Sequence, residues 1–89
     1  MAWLVEFETA AQRDLARLDK TVARRIAEYL KLRIAPLDNP RALGHALKGS
    51  ALGDLWRYRV GDYRIVCDLR DKALKILVVS IGNRREIYR

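Results

Sequence analysis

Residues 55–68 carry two short alternating runs, LWRYRV and YRIVCD, separated by Gly61-Asp62. Alternation of apolar and polar positions is the period of a β-strand. A two-residue link that begins with glycine suits a type II′ turn, whose twist matches the flanking strands. That turn fixes the register, with Val60 opposite Tyr63, Arg59 opposite Arg64, Tyr58 opposite Ile65 and Trp56 opposite Cys67. One face of the predicted hairpin then carries Trp56, Tyr58, Val60, Tyr63, Ile65 and Cys67, and the other carries Arg57, Arg59 and Arg64. Two arginines directly opposite one another destabilise a strand pair by roughly a few tenths of a kcal/mol. A chain that keeps such a pair is concentrating positive charge there.

The rest of the chain is organised around this hairpin. Residues 2–7 alternate Trp3, Val5 and Phe7 with Leu4 and Glu6, which predicts a first strand. Thr9-Ala10-Ala11-Gln12 matches a capping box, with Thr9 as N-cap. It opens a short helix whose apolar stripe is Ala11, Leu15 and Leu18, with Arg13, Asp14 and Arg17 outside. Asp19 or Thr21 caps a second, longer helix on which Val22, Ile26, Tyr29, Leu30 and Ile34 recur at helical spacing, up to Pro36. The short link makes the two helices an antiparallel hairpin. Residues 37–54, rich in Pro, Gly, Asp and Asn, form a connector with room for a helical turn at 41–47, and His45 is a loop residue there. After the hairpin, an Asp71-Lys72 turn sets Asp68 opposite Lys75 and leads into a strand over 74–81, ended by Gly82-Asn83. That strand is apolar on both faces, so it is expected in the sheet interior. Leu77 and Val79 are expected on the face of Arg64, as an apolar docking surface for an acidic or amphipathic helix. The fold class is α+β in the order β-α-α-β-β-β. An N-terminal strand and a helical hairpin precede a three-stranded antiparallel meander, with the helices on one face of a largely antiparallel sheet. Residues 1–89 read as a single domain.

Charge sharpens this picture. The formal net charge is +7; residues 1–47 hold eight basic and six acidic side chains, residues 48–89 ten and five, so the excess lies with the hairpin. That asymmetry favours nucleic acid, an acidic membrane surface or an acidic protein partner. Cys67 is the single cysteine, which leaves no internal disulfide and fits a reducing cytoplasm. Glu6, Glu8 and Asp14 interrupt any signal-peptide pattern, and the apolar run at 76–81 is too short to span a membrane. One histidine, His45, and one cysteine do not make a structural zinc site. There is no phosphate-binding glycine loop, no serine triad spacing and no carboxylate dyad. No cofactor is expected.

What remains is arginine and tyrosine. Guanidinium groups stay protonated and grip phosphate bidentately, and a tyrosine stacks on a base or orients a phosphate oxygen. A basic sheet face of Arg57, Arg59 and Arg64, with Arg84 and Tyr88 just past the last strand, suits binding of single-stranded RNA. It also suits metal-free cleavage, in which the ribose 2′-hydroxyl attacks the adjacent phosphate. Ordinary solvated sheet surface is the plain alternative.

The segments WRYRVGDYRIVCDL and LKILVVSIGNRREIYR closely resemble the RelE/ParE toxin superfamily, its RelE branch best. WLVEFETAAQRDLARLDKTVARRIAEYL matches that family's strand and helical hairpin, and Leu47-Lys48-Gly49 its approach to the central strands. The resemblance implies a type II toxin that cleaves mRNA in the ribosomal A site. It implies a cognate RelB-like antitoxin in a hetero-oligomer, and the ribosome and mRNA as further partners. By position it assigns Arg57, Arg59, Arg64, Arg84 and Tyr88 as catalytic, and Lys48 and Arg85 as substrate-binding. In the best-known RelE pattern the positions of Arg57 and Arg59 hold lysines, one a suspected general base; arginine is a poor base. Asn83 stands where many relatives have histidine or lysine. The alternative within the superfamily is a ParE-like inhibitor of DNA gyrase without nuclease activity. A plain RNA-binding module is the third reading.

Overall fold

The structure, a computed structural model, describes residues 2–47 and 55–83. Five strands form one mixed sheet: β1 (Leu4–Phe7), β2 (His45–Ala46), β3 (Leu55–Val60), β4 (Tyr63–Arg70) and β5 (Lys75–Asn83), in spatial order β1-β5-β4-β3-β2. Helices α1 (Thr9–Arg17) and α2 (Lys20–Glu28) follow β1. The hairpin register is the predicted one at every position, including Arg59 opposite Arg64. Gly61 supplies the positive φ of the turn, +58°. Strand β5 lies between β1 and β4, as its two apolar faces require.

Three of the four described strand pairings are antiparallel, as expected, and β1 joins in parallel with β5, Val5 opposite Ile76. Alternation in so short a run marks a strand without naming its partner. Several local expectations are corrected. Among the described residues of the connector the helical turn is at Pro40–Ala42, and His45 is in strand β2, paired with Arg57. Strand β5 runs on through Asn83, which pairs with Tyr63, while Gly82 pairs with Arg64. The turn after β4 is a 3-10 turn, Asp71–Ala73, closed by Leu74 in the left-handed region. That sets Arg70 opposite Lys75 and Asp68 opposite Leu77. The charges re-pair accordingly, Asp68 with Arg70 at 3.2 Å and Lys75 with Glu6 at 3.2 Å.

The helices pack on one sheet face. Thr9 is the first helical residue of α1 and Glu8 its cap; Gln12 donates back to the Phe7 carbonyl at 2.9 Å. Asp14, expected outside, accepts the Ile81 N–H at 3.0 Å and ties α1 to β5 beyond the end of β1. Asp19 caps α2, accepting from the Thr21 N–H at 3.0 Å. Helix α2 then widens into a π turn, Tyr29–Ile34. Ile26, Leu30 and Ile34 recur every four residues, slightly more than an α turn. The wider turn holds all three fully buried. They meet Trp3, Ala11, Tyr58, Val60, Ile65, Cys67, Leu69, Ile76, Val78 and Ile81 in a single core.

Between Val66 and Cys67 the β4–β5 register shifts, leaving Val79 as the extra residue. A bulge reverses the alternation beyond it. Val66, Ser80 and Gly82 therefore share the face of Arg64, and Val79 is out of register with it. Leu77 and Val79 are half-buried; among the described residues the large exposed apolar side chains are Leu4, Leu32 and Leu43. The docking surface expected at Leu77 and Val79 is not an exposed apolar patch.

Candidate functional site

The outer face of the hairpin end is ordered in two rows across the sheet. His45, Arg57, Val66 and Ser80 lie opposite one another across β2, β3, β4 and β5. Arg59, Arg64 and Gly82 form the next row. Directly opposed side chains share a face, with Cβ atoms about 4.5–5.5 Å apart. Three guanidiniums thus start from neighbouring positions on a rigid sheet. Gly82 carries no side chain at the position opposite Arg64.

The arginines are held differently. The Nε atoms of Arg57 and Arg64 are buried, and both residues are half-buried. Arg59 is exposed and donates from Nε to the Gly61 carbonyl at 3.1 Å, which folds its stem toward the turn. A cleft of about 290 Å³ opens at the β2–β3 edge, lined by Tyr29, Leu43, Gly44, His45, Arg57, Tyr58, Arg59 and Arg64. A second groove, about 720 Å³, lies between β1 and the helices; Val5, Phe7, Leu15 and Ala16 line it, with Glu6 its one charged group. It is larger, but among the described residues no basic side chain lines it.

The connector builds the cleft wall. Tyr58 Oη donates to the Pro40 carbonyl at 2.6 Å, and Trp56 Nε1 donates to the Leu43 carbonyl at 2.7 Å. Burial pushes the Tyr58 phenol well up, reinforced by Cys67 and Tyr29, so it stays a donor. Tyr29, on the π turn, packs a tilted ring on Tyr58 with centroids 6.3 Å apart. Gly44 has φ +79°, and a Cβ there would collide with the Arg57 carbonyl oxygen and the Trp56 indole nitrogen. Only glycine lets the chain pass so close over β3 and deliver His45 beside Arg57.

The structure brings together Arg57, Arg59 and Arg64 of the predicted set. Lys48, Arg84, Arg85 and Tyr88 lie outside the described residues. His45 and Tyr29 line the cleft without having been predicted. A two-residue strand has no period to read; the one signal for it was the glycine before His45. Among the described residues, no three His, Cys, Asp or Glu side chains gather as metal ligands.

The comparisons fit this architecture. The ParE toxin family of type II toxin–antitoxin systems, parDE, matches residues 5–88. The Toxin RelE of Mycobacterium tuberculosis is 34% identical over 86 residues, 96% of this chain and 84% of that protein. The chain belongs to the RelE/ParE toxin superfamily, in its RelE branch. The mRNA interferase toxin RelE of Escherichia coli is 27% identical over 90 residues, covering 99% of this chain and 92% of that one. Among solved structures, the toxin–antitoxin complex RelBE2 of M. tuberculosis superposes with a TM-score of 0.83 at 23% identity, over 94% of this chain and 93% of that one. The RelE-branch fold is thus present along nearly the whole chain. In it the arginine rows occupy the β3–β4 hairpin and the adjoining end of β5.

Proposed function

We propose that this chain is a ribosome-dependent endoribonuclease toxin that cuts mRNA in the A site and so halts translation in the cytoplasm. The observation that carries this reading is the pair of rows that sets Arg57, Arg59 and Arg64 around one cleft at the sheet edge. In-line attack by a ribose 2′-oxygen builds negative charge on a phosphorane. Guanidiniums fixed on a sheet stabilise that charge without reorganising. The products are a 2′,3′-cyclic phosphate and a 5′-hydroxyl, and no metal takes part. Arg84 and Tyr88 complete the catalytic set, and Lys48 and Arg85 bind the mRNA backbone. A cognate RelB-like antitoxin holds the toxin in a hetero-oligomer. The matching family is described as a toxin of type II toxin–antitoxin systems, and the M. tuberculosis RelBE2 neighbour is a toxin–antitoxin complex.

Primer extension on ribosome-bound mRNA tests the reading. Arg64→Ala and Tyr88→Phe are each expected to slow cleavage by about 10²–10³-fold, and EDTA at constant ribosome integrity to leave it unchanged. Full cleavage by Arg64→Ala refutes the site assignment. Loss of cleavage with EDTA refutes the metal-free route. The ParE description of the matching family favours a second reading, gyrase inhibition by binding. Inhibited supercoiling with translation untouched would establish that reading instead.

A further inference from the structure

We infer that His45 is the general base of this site, taking the proton from the attacking 2′-hydroxyl. The inference rests on the nuclease reading above and supplies a proton acceptor, which Arg57, Arg59 and Arg64 are not. Three of the cleft's side chains are guanidiniums, which donate hydrogen bonds in abundance and accept none. They can hold the phosphorane and meet the departing 5′-oxygen, but they cannot take a proton. The Tyr58 hydroxyl is buried and committed as a donor to the Pro40 carbonyl. Among the described residues, no carboxylate lines the cleft. Among the described lining residues, His45 is the one histidine, the residue type best suited to accept a proton at neutral pH. It is exposed, directly opposite Arg57, and on the face of Arg59 and Arg64.

Its placement is also specified by the chain. Gly44 has a backbone conformation that other residues rarely adopt, at a point where a side chain would strike β3. The Leu43 carbonyl just before it is anchored by the Trp56 indole. These contacts fix a two-residue strand whose first residue is the histidine.

The step balances without a further reactant. The 2′-oxygen bonds to phosphorus as its proton passes to the imidazole. The P–O5′ bond breaks with its electron pair on the 5′-oxygen, which takes a proton from water. The imidazolium returns its proton to solvent.

The test is single-turnover cleavage of ribosome-bound mRNA by wild type, His45→Gln, His45→Asn and Arg64→Ala, over a range of pH. The His45 variants are expected to cut about 10²-fold or more slowly, with unchanged ribosome affinity and unchanged melting temperature. A break in the wild-type pH–rate profile is expected to vanish in His45→Gln. The groups facing His45 are Arg57 on β3, Arg59 and Arg64 beyond it, and Tyr29 from the π turn; a pH break that survives in His45→Gln belongs to one of them or elsewhere and refutes the assignment. A substrate with sulfur as the 5′-leaving atom needs no protonation of that atom. Its failure to restore His45→Gln supports a base; its success overturns the base role. A cleaving wild type, a dead Arg64→Ala and a fully active His45→Gln sink this inference alone. An inactive wild type sinks the nuclease reading with it.

Discussion

Arg59 and Arg64 are directly opposed across a two-residue turn, and the cost of that pairing is measurable. Cross-strand charge pairs shift stability by roughly 0.2–1 kcal/mol, and like charges do so unfavourably. Arg59 is exposed, so solvent screening puts the repulsion in the lower half of that range, about 0.2–0.6 kcal/mol. Single substitutions confound this, because Arg59 also donates to the Gly61 carbonyl. A double-mutant cycle of Arg59→Met, Arg64→Met and both together cancels such private contacts and leaves the coupling. Urea unfolding at low salt is expected to return a repulsive coupling of that size. At about 1 M salt, where the screening length falls to roughly 3 Å, it should shrink toward zero. Each single variant should cleave mRNA far more slowly even where it unfolds no more easily. Stability and activity then move apart, as they do when a site stores unfavourable charge for use on a ligand. An attractive coupling, or a repulsive one indifferent to salt, would refute the idea that charge is concentrated here against the sheet's own interest.

Two further outcomes follow from other parts of the fold. Gly44→Ala places a side chain at φ +79° and against the Arg57 carbonyl; the left-handed conformation alone costs about 1–2 kcal/mol, so thermal melting should fall by roughly 5–15 °C, with cleavage lost beyond what the destabilisation explains. An unchanged melting temperature would mean that β2 is not pinned as described. The Arg41 guanidinium, bound to Asp71 at 2.8 and 3.1 Å, holds that carboxyl below the usual aspartate range. The unfolded chain therefore binds this proton at higher pH than the folded one, and the contribution is present above the ordinary aspartate range and lost as pH falls through Asp71's lowered value. In melts between about pH 2 and pH 6, Asp71→Asn is expected to flatten the acid limb slightly; an identical limb would show that the pair is inert.

The hairpin was legible because local rules decide it. Gly61-Asp62 allows one tight turn, and the turn dictates every pairing from Trp56–Cys67 to Val60–Tyr63. The interior position of β5 was legible because only a strand covered on both sides keeps Ile76, Leu77, Val78 and Val79 in succession. What was missed depends on contacts between distant segments. Nothing in residues 4–7 says that their partner is β5, or that it runs parallel. The bulge at Val79 follows from fitting β5 at once to β1 and β4, and it moved Ser80 and Gly82 onto the arginine face. The link after β4 spans residues 71–74, two more than the sequence suggested, which moved Lys75 away from Asp68 and left Asp68 to pair with Arg70. Arg57, Arg59 and Arg64 were found by alternation, whereas the position of His45 depends on Gly44, Trp56 and a strand too short to have a pattern.

That division bears on how the site works. Arg57 and Arg64 sit on doubly paired positions of β3 and β4, and Arg59 is paired with Arg64 on one side, so the sheet keeps phosphate-binding groups in place at no cost during the reaction. His45 sits on the edge, held by two residues of pairing and an indole hydrogen bond. The β2 edge is the weaker support, because it has pairing on one side only and few contacts to lose. A substrate that reaches the cleft meets preformed charge and a histidine whose support can yield. Loosening β2 should therefore lower the rate before it lowers affinity for RNA, while loosening β3 or β4 should lower both.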